Sequence, residues 1–118
     1  MATSNEYLQF VLEQLAGLGR VAARRMFGGT GLYLDEVFFG LISRDTLYFK
    51  VDDTTREHYF SRGMEAFRPF RDKPKSSLSY YAVPADVLEE PEHLVEWARG
   101  ALTAATAGRR VRRRRASE

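Results

Sequence analysis

Three short apolar runs, set two residues apart, constrain this chain more than any other feature in it. Between Arg24 and Val51 the sequence reads RRMFGGTGLYLDEVFFGLISRDTLYFKV, with aromatic and β-branched residues packed between evenly spaced polar pairs. Asp35-Glu36 separates Tyr33-Leu34 from Val37-Phe38, and Arg44-Asp45 separates Ile42-Ser43 from Thr46-Leu47; two-residue gaps of this kind fit β-hairpin connections. Three antiparallel strands in a meander follow. Neither pair is the Asn-Gly or Asp-Gly that a type I′ turn prefers, so the hairpins rest on the flanking residues rather than on turn chemistry. In the third strand Leu47, Phe49 and Val51 alternate with Tyr48 and Lys50, the pattern of a strand with one buried face. The second strand offers Val37, Phe39 and Leu41 on one side and Phe38, Gly40 and Ile42 on the other. With no polar face, it belongs at the centre of the sheet.

Gly28, Gly29 and Gly31 fall inside the first strand on this reading, where glycine costs conformational entropy and packs nothing. Gly28-Gly29-Thr30-Gly31 is neither a Walker A sequence nor GxGxxG, and no strand-to-helix context surrounds it. The expectation is therefore a bend in one long strand, with Gly28 or Gly29 at positive φ or at a β-bulge.

The flanks supply the helices. Thr3 and Glu6 have capping-box spacing, Leu8, Val11, Leu12 and Leu15 share one helical face, and Gly17 and Gly19 close that first helix. Asp53 is placed to cap a second helix over about Thr54 to Arg62, with Gly63 just past its end. Phe67-Arg68-Pro69-Phe70 can only be an edge strand, because proline donates no ladder hydrogen bond, and Leu78 to Val83 alternates as a fifth strand. Pro91 and Glu92 suit the first turn of a last helix whose face is Leu94, Ala98, Ala101 and Ala105, widened by Val95 and Leu102; Trp97 lies off that stripe. Gly108 is expected to end it. The order α-β-β-β-α-β-β-α predicts an α+β two-layer sandwich, three helices on an antiparallel five-stranded sheet. Its core should hold Leu8, Leu12, Leu15, Phe39, Leu41, Leu47, Phe49, Leu94, Ala98 and Leu102.

A chain of 118 residues supports one core, burying about 65% of its unfolded surface, and its 44% hydrophobic content is that of a folded globule. It lacks cysteine, which removes disulfides and zinc-thiolate sites; no apolar run approaches a membrane span, and Met1 to Asn5 is no signal peptide, so a cytoplasmic protein is expected. Charge is unevenly divided. Residues 1–108 hold 12 of the 18 Lys and Arg and 15 of the 16 Asp and Glu, a net −3, whereas residues 109–118 carry net +5. The basic character belongs to a tail of Arg109, Arg110, Arg112, Arg113, Arg114 and Arg115, a like-charge run expected to be disordered beyond a domain spanning 1–108. Such a run can neutralise nucleic-acid phosphates, dock on an acidic protein or serve solubility.

Residues with chemistry are sparse. His58 and His93 are the only histidines and are expected on exposed helix faces; Glu57 and Glu92 precede them, but adjacent helical residues do not converge. Glu89, Glu90 and Glu92 read as a solvated helix start, and Ser76, Ser77 and Ser79 have no base at motif spacing. No catalytic, cofactor-binding or metal-binding residue is expected. Tyr48, Tyr80 and Tyr81 with Phe70, Arg68, Arg71, Lys73 and Lys75 combine aromatic and basic residues as nucleic-acid-binding sheets do, but core packing plus a charged loop is the favoured explanation, given the net −3 of residues 1–108. Arg24 and Arg25 cannot face the same way in a strand, so at most one can join such a patch.

Arg24-Arg25-Met26-Phe27-Gly28-Gly29, Gly31-Leu32-Tyr33, Phe39-Gly40-Leu41 and Leu47 to Val51, followed by Leu78-Ser79-Tyr80-Tyr81, Pro84 and Trp97-Ala98, resemble the TfoX (Sxy) N-terminal domain family over nearly all of residues 4–107. Glu36 stands where the family often has glycine, and the arginine run is not a family feature. The resemblance implies structural roles for Arg25, Met26, Phe27, Gly28 and Gly29, a fold also seen in secretion chaperones, and, since such chaperones are often dimers, a homodimer. It further implies a lone N-terminal domain without the C-terminal domain of full-length competence regulators. Its expected role is that of a non-enzymatic regulatory or adaptor module acting in competence with a protein partner in the transcription machinery, a cyclic-AMP receptor protein. The alternative is a small nucleic-acid-binding protein using its tail.

Overall fold

A computed structural model describes residues 5–26, 29–67 and 79–117, with side chains through residue 107. Helix α1 (Asn5–Gln14) and a 3-10 turn (Ala16–Leu18) lead into strands β1 (Ala22–Met26), β2 (Gly29–Leu34), β3 (Val37–Ser43) and β4 (Thr46–Lys50). Helix α2 (Asp53–Phe60), strand β5 (Tyr80–Ala82), the one-turn helix α3 (Ala85–Leu88) and helix α4 (Pro91–Ser117) complete the order. The five strands form one antiparallel sheet in the order β1-β2-β3-β4-β5, so the fold is α+β with β3 at the centre.

Both expected hairpins form, closed by Leu34↔Val37 and Ser43↔Thr46. Their turn residues all have positive φ: 50° and 70° at Asp35 and Glu36, 51° and 54° at Arg44 and Asp45. This is the backbone of a type I′ turn adopted by residues that favour it poorly, imposed because its twist matches that of the strands.

The first strand is not one strand. Met26 pairs with Gly29 and Arg25 with Thr30, so the chain reverses across positions 27 and 28, which lie outside the described residues. Gly29 is neither at positive φ nor at a bulge, and Gly28, the other residue of that expectation, lies outside the described residues. A Cβ built on Gly29 would collide with the Ile42 carbonyl oxygen, and close backbone approach is what excludes a side chain. The bulge occurs elsewhere, in β3. Leu32 pairs with Gly40 and Tyr33 with Phe38, leaving Phe39 as the extra residue. This corrects the expected faces of β3. Phe39 and Ile42, three positions apart, both join the core, and Leu41 turns to the opposite side with its neighbour Tyr48 while still only 8% exposed.

Of the expected core residues, Leu15, Phe39, Leu41, Leu47, Phe49, Leu94 and Ala98 are buried, and Leu8, Leu12 and Leu102 pack half-buried against the same cluster. Val11, not Leu12, is the fully buried residue of the middle of α1. The alanines of α4 at 98, 101, 104 and 105 are buried and let the helix approach β3 and β4 closely. Helix α2 is capped by Asp52 rather than Asp53: the Asp52 carboxylate accepts the Thr55 N–H at 2.8 Å and the Asp52 N–H donates to the Thr55 hydroxyl at 3.0 Å. The Thr55 N–H donated to the carboxylate holds the Asp52 carboxyl below its ordinary pKa. Gly63, at φ 74°, closes the helix as expected, with the Met64 N–H reaching the Tyr59 carbonyl.

The edge segment expected at 67–70 is described only to Phe67, where Ala66 bridges Tyr81 and the Phe67 N–H donates to Tyr80. Gly108 does not stop the last helix. Glycine in a helix interior costs about 1 kcal/mol, and here it follows alanines and precedes arginines, among the better helix formers, so α4 continues to Ser117.

Candidate binding face of the sheet

The pairing register divides the strands into two faces. Thr30, Leu32, Ile42, Leu47, Phe49 and Tyr81 point toward the helices, and all but Thr30 belong to the core cluster they share with Val11, Leu15, Val87, Leu94 and Ala98. Arg24, Met26, Tyr33, Phe38, Leu41, Tyr48, Lys50 and Tyr80 occupy the opposite face.

On that face the rings touch in sequence. Tyr33 and Phe38 centroids are 5.1 Å apart and Phe38 and Tyr80 are 5.6 Å apart, while Tyr48 packs on Phe67 at 5.0 Å. A cation sits at each end of the row: the Arg24 guanidinium lies 4.7 Å from the Tyr33 ring centre and the Lys50 ammonium 5.3 Å from that of Tyr80. Arg24 also reaches Glu36 at 3.6 Å across exposed surface, a contact worth little by itself. Partial burial, helped by the nearby Glu65 charge, pushes the Tyr48 hydroxyl above its ordinary pKa and keeps it a neutral donor.

Met26 lies over Gly31 beside Phe38: a Cβ on Gly31 would be 3.1 Å from the Met26 Sδ and from a Phe38 ring carbon. The motif residues Met26, Gly29 and Gly31 therefore have packing roles. Arg25, paired with Thr30, points to the other side of β1 from Arg24, so one arginine of the pair joins the face.

Of the sequence-stated aromatic set, the structure brings Tyr48 and Tyr80 together on this face but turns Tyr81 inward onto Tyr59, at a centroid distance of 6.1 Å. Phe70, Arg68, Arg71, Lys73 and Lys75 lie outside the described residues, as do Phe27 and Gly28. Tyr33, Phe38, Arg24 and Lys50 were missed as a group. Strand periodicity alone shows that Tyr48 and Lys50 share a face, but only the hairpin register brings Tyr33 and Phe38 beside them. Arg109, Arg110, Arg112, Arg113, Arg114 and Arg115 stand on the last turns of α4, beyond Ala105, the last buried residue among the described side chains.

His58 and His93 are exposed, and among the described residues no group of three or more His, Cys, Asp or Glu could hold a metal ion. No helix among them is long and apolar enough to cross a membrane.

A curated relative, an uncharacterized 12.7 kDa protein in the trpE 5′ region of Spirochaeta aurantia, is 33% identical over 90 residues, covering 76% of this chain and 72% of its own. The family model described as the TfoX N-terminal domain matches residues 13–105, from within α1 through the strands and helices to the last buried turn of α4, and the chain belongs to that family.

Proposed function

We propose that this chain is a non-enzymatic regulatory module that acts in bacterial competence by docking a protein partner of the transcription machinery, in the manner the family implies for a cyclic-AMP receptor protein. The observation that carries this reading is the family match across residues 13–105. The row from Arg24 through Tyr33, Phe38 and Tyr80 to Lys50 supports it with a suitable contact surface. Aromatic side chains bring large contact area at low entropic cost and are enriched at interface centres, and terminal cations suit an acidic partner. A cytoplasmic location belongs to the same proposal.

Calorimetric titration of the full chain against purified cyclic-AMP receptor protein, after nuclease treatment, tests it. Binding that weakens about tenfold or more in Phe38→Ala, as truncating an anchoring aromatic does, is the expected result. Absence of binding, or binding lost on nuclease treatment, sinks the adaptor reading.

The arginine run favours one further reading, a nucleic-acid contact through the tail, to which Arg68, Arg71, Lys73 and Lys75 are weaker candidate contributors. Six arginines predict a log-log salt slope no steeper than about −5 on duplex DNA, without sequence preference. Replacing the six arginines by glutamine should abolish binding and leave the melting temperature unchanged; equal affinity in both chains would move any DNA site to the sheet.

A further inference from the structure

Between α2 and α4 lies an open cleft of about 200 Å³ lined by Thr55, His58 and Tyr59 on one side and Glu96, Trp97 and Gly100 on the other. Its apolar wall is Tyr59 and Trp97, whose rings meet edge to face at 4.7 Å. The cleft is smaller than the roughly 300 Å³ at which drug-sized ligand pockets begin, and has room for one long side chain.

Gly100 is the informative residue. It stands inside a long helix, where glycine is less favourable than alanine, yet the fold does not require it: a Cβ there would meet only the Thr55 methyl carbon, at an ordinary 3.5 Å. What a side chain at position 100 would do is fill the cleft. The remaining lining describes the occupant. Trp97 already accepts one guanidinium, that of Arg62 at 5.9 Å, whose charge is met by Asp86 at 2.6 Å. Glu96 is exposed on the rim and has no salt bridge among the described residues. Apolar ring surface with a carboxylate at its edge fits a side chain with an aliphatic stem and a cationic head.

We infer that this cleft receives an arginine from the 109–115 run of a second copy, joining copies head to tail. Charge complementarity favours this occupant: residues 1–108 carry net −3 and residues 109–118 net +5. The run cannot serve its own cleft. It continues α4, and a helix rising 1.5 Å per residue carries residue 109 about 14 Å beyond Gly100 along the same axis. The contact is heterologous, so association proceeds beyond two copies unless a ring closes.

Sedimentation velocity of the nuclease-treated full chain at low and high salt tests this. The expected result is salt-sensitive association, weakened about tenfold in Glu96→Gln and lost in Gly100→Leu. Gly100→Ala controls for folding: it should raise the melting temperature while weakening association. The decisive arm mixes two variants that do not associate alone, one with all six arginines replaced by glutamine and its cleft intact, the other Gly100→Leu with its arginines intact. The mixture should give a species of two chains and nothing larger. A mixture that stays monomeric, a wild-type chain that is monomeric at low salt, or undiminished association of Gly100→Leu overturns the inference. Association that survives in the glutamine chain alone also overturns it, and assigns self-contact to another surface.

Discussion

The two faces of the sheet are built from the same strands, often from adjacent residues, and have opposite chemistry. Leu47 and Phe49 are buried against the helices, whereas Tyr48 and Lys50 between and beside them lie half-buried on the far side. The inner face is mostly aliphatic, with Phe49 and the ring of Tyr81 turned into the core and Thr30 a buried polar residue among them. The outer face is a row of tyrosine and phenylalanine rings bounded by cations. Burial on the first stabilises the fold by the area it removes from water, and amphipathic rings on the second keep apolar surface half-covered without committing it to the core. The core and the aromatic face are thereby separated by a period of two.

The sharpest way to break that contrast is Leu47→Ala, which should cost about 2 to 5 kcal/mol and lower the melting temperature accordingly, because it opens a cavity at a residue 1% exposed. An unchanged melt would mean the inner and outer assignments are reversed. On the outer face Phe38→Ala should cost less, about 1 kcal/mol, since its ring is half-buried and its loss removes cross-strand pairs with Tyr33 and Tyr80. If denaturant unfolding gave the two substitutions equal costs, the faces would not differ in the way described.

Asp52→Ala should cost about 1 kcal/mol through loss of the cap, with a pH signature that neither face has. The Asp52 carboxyl is depressed in the folded state, so its contribution is present above the unfolded pKa and is lost as pH falls through the lower folded value. The gap between wild type and variant should therefore close in acid, measured by denaturant unfolding at a series of pH values. The smallest effect is a gain. Glu36→Gly should stabilise the protein by about 0.5 to 1 kcal/mol, because Glu36 holds φ at 70° and surrenders only an exposed ion pair to Arg24. A loss there would show that the Arg24 contact, which touches the outer row, matters more than turn strain.

Much of this was legible along the chain. The two-residue gaps placed both hairpins, continuous apolarity placed β3 at the centre, and helical spacing found the α4 stripe through Ala105. Opposite-facing neighbours limited such a face to at most one of Arg24 and Arg25, and Arg24 is the one on it. The misses share a cause. A glycine looks alike in sequence whether it bends a strand, follows a turn, yields to a neighbouring carbonyl or merely continues a helix. Gly29 proved to be a matter of approach to Ile42, and Gly108 no stop at all. The bulge at Phe39 left no mark either, since an extra apolar residue in an apolar run changes no pattern.

By itself the sequence determined the α+β class, both hairpins and the alternation that sends Leu47 one way and Tyr48 the other, because each is a local consequence of residue spacing, while its motifs carried the family resemblance. Only the tertiary structure decided which residues meet across strands and helices. The register set Tyr33 and Phe38 beside Tyr80, the bulge moved Phe39 and Ile42 to one side, and the approach of α2 to α4 left a cleft over Gly100. Those are distances between residues far apart in the chain, determined by how side chains of particular volume pack together, and no local pattern records them.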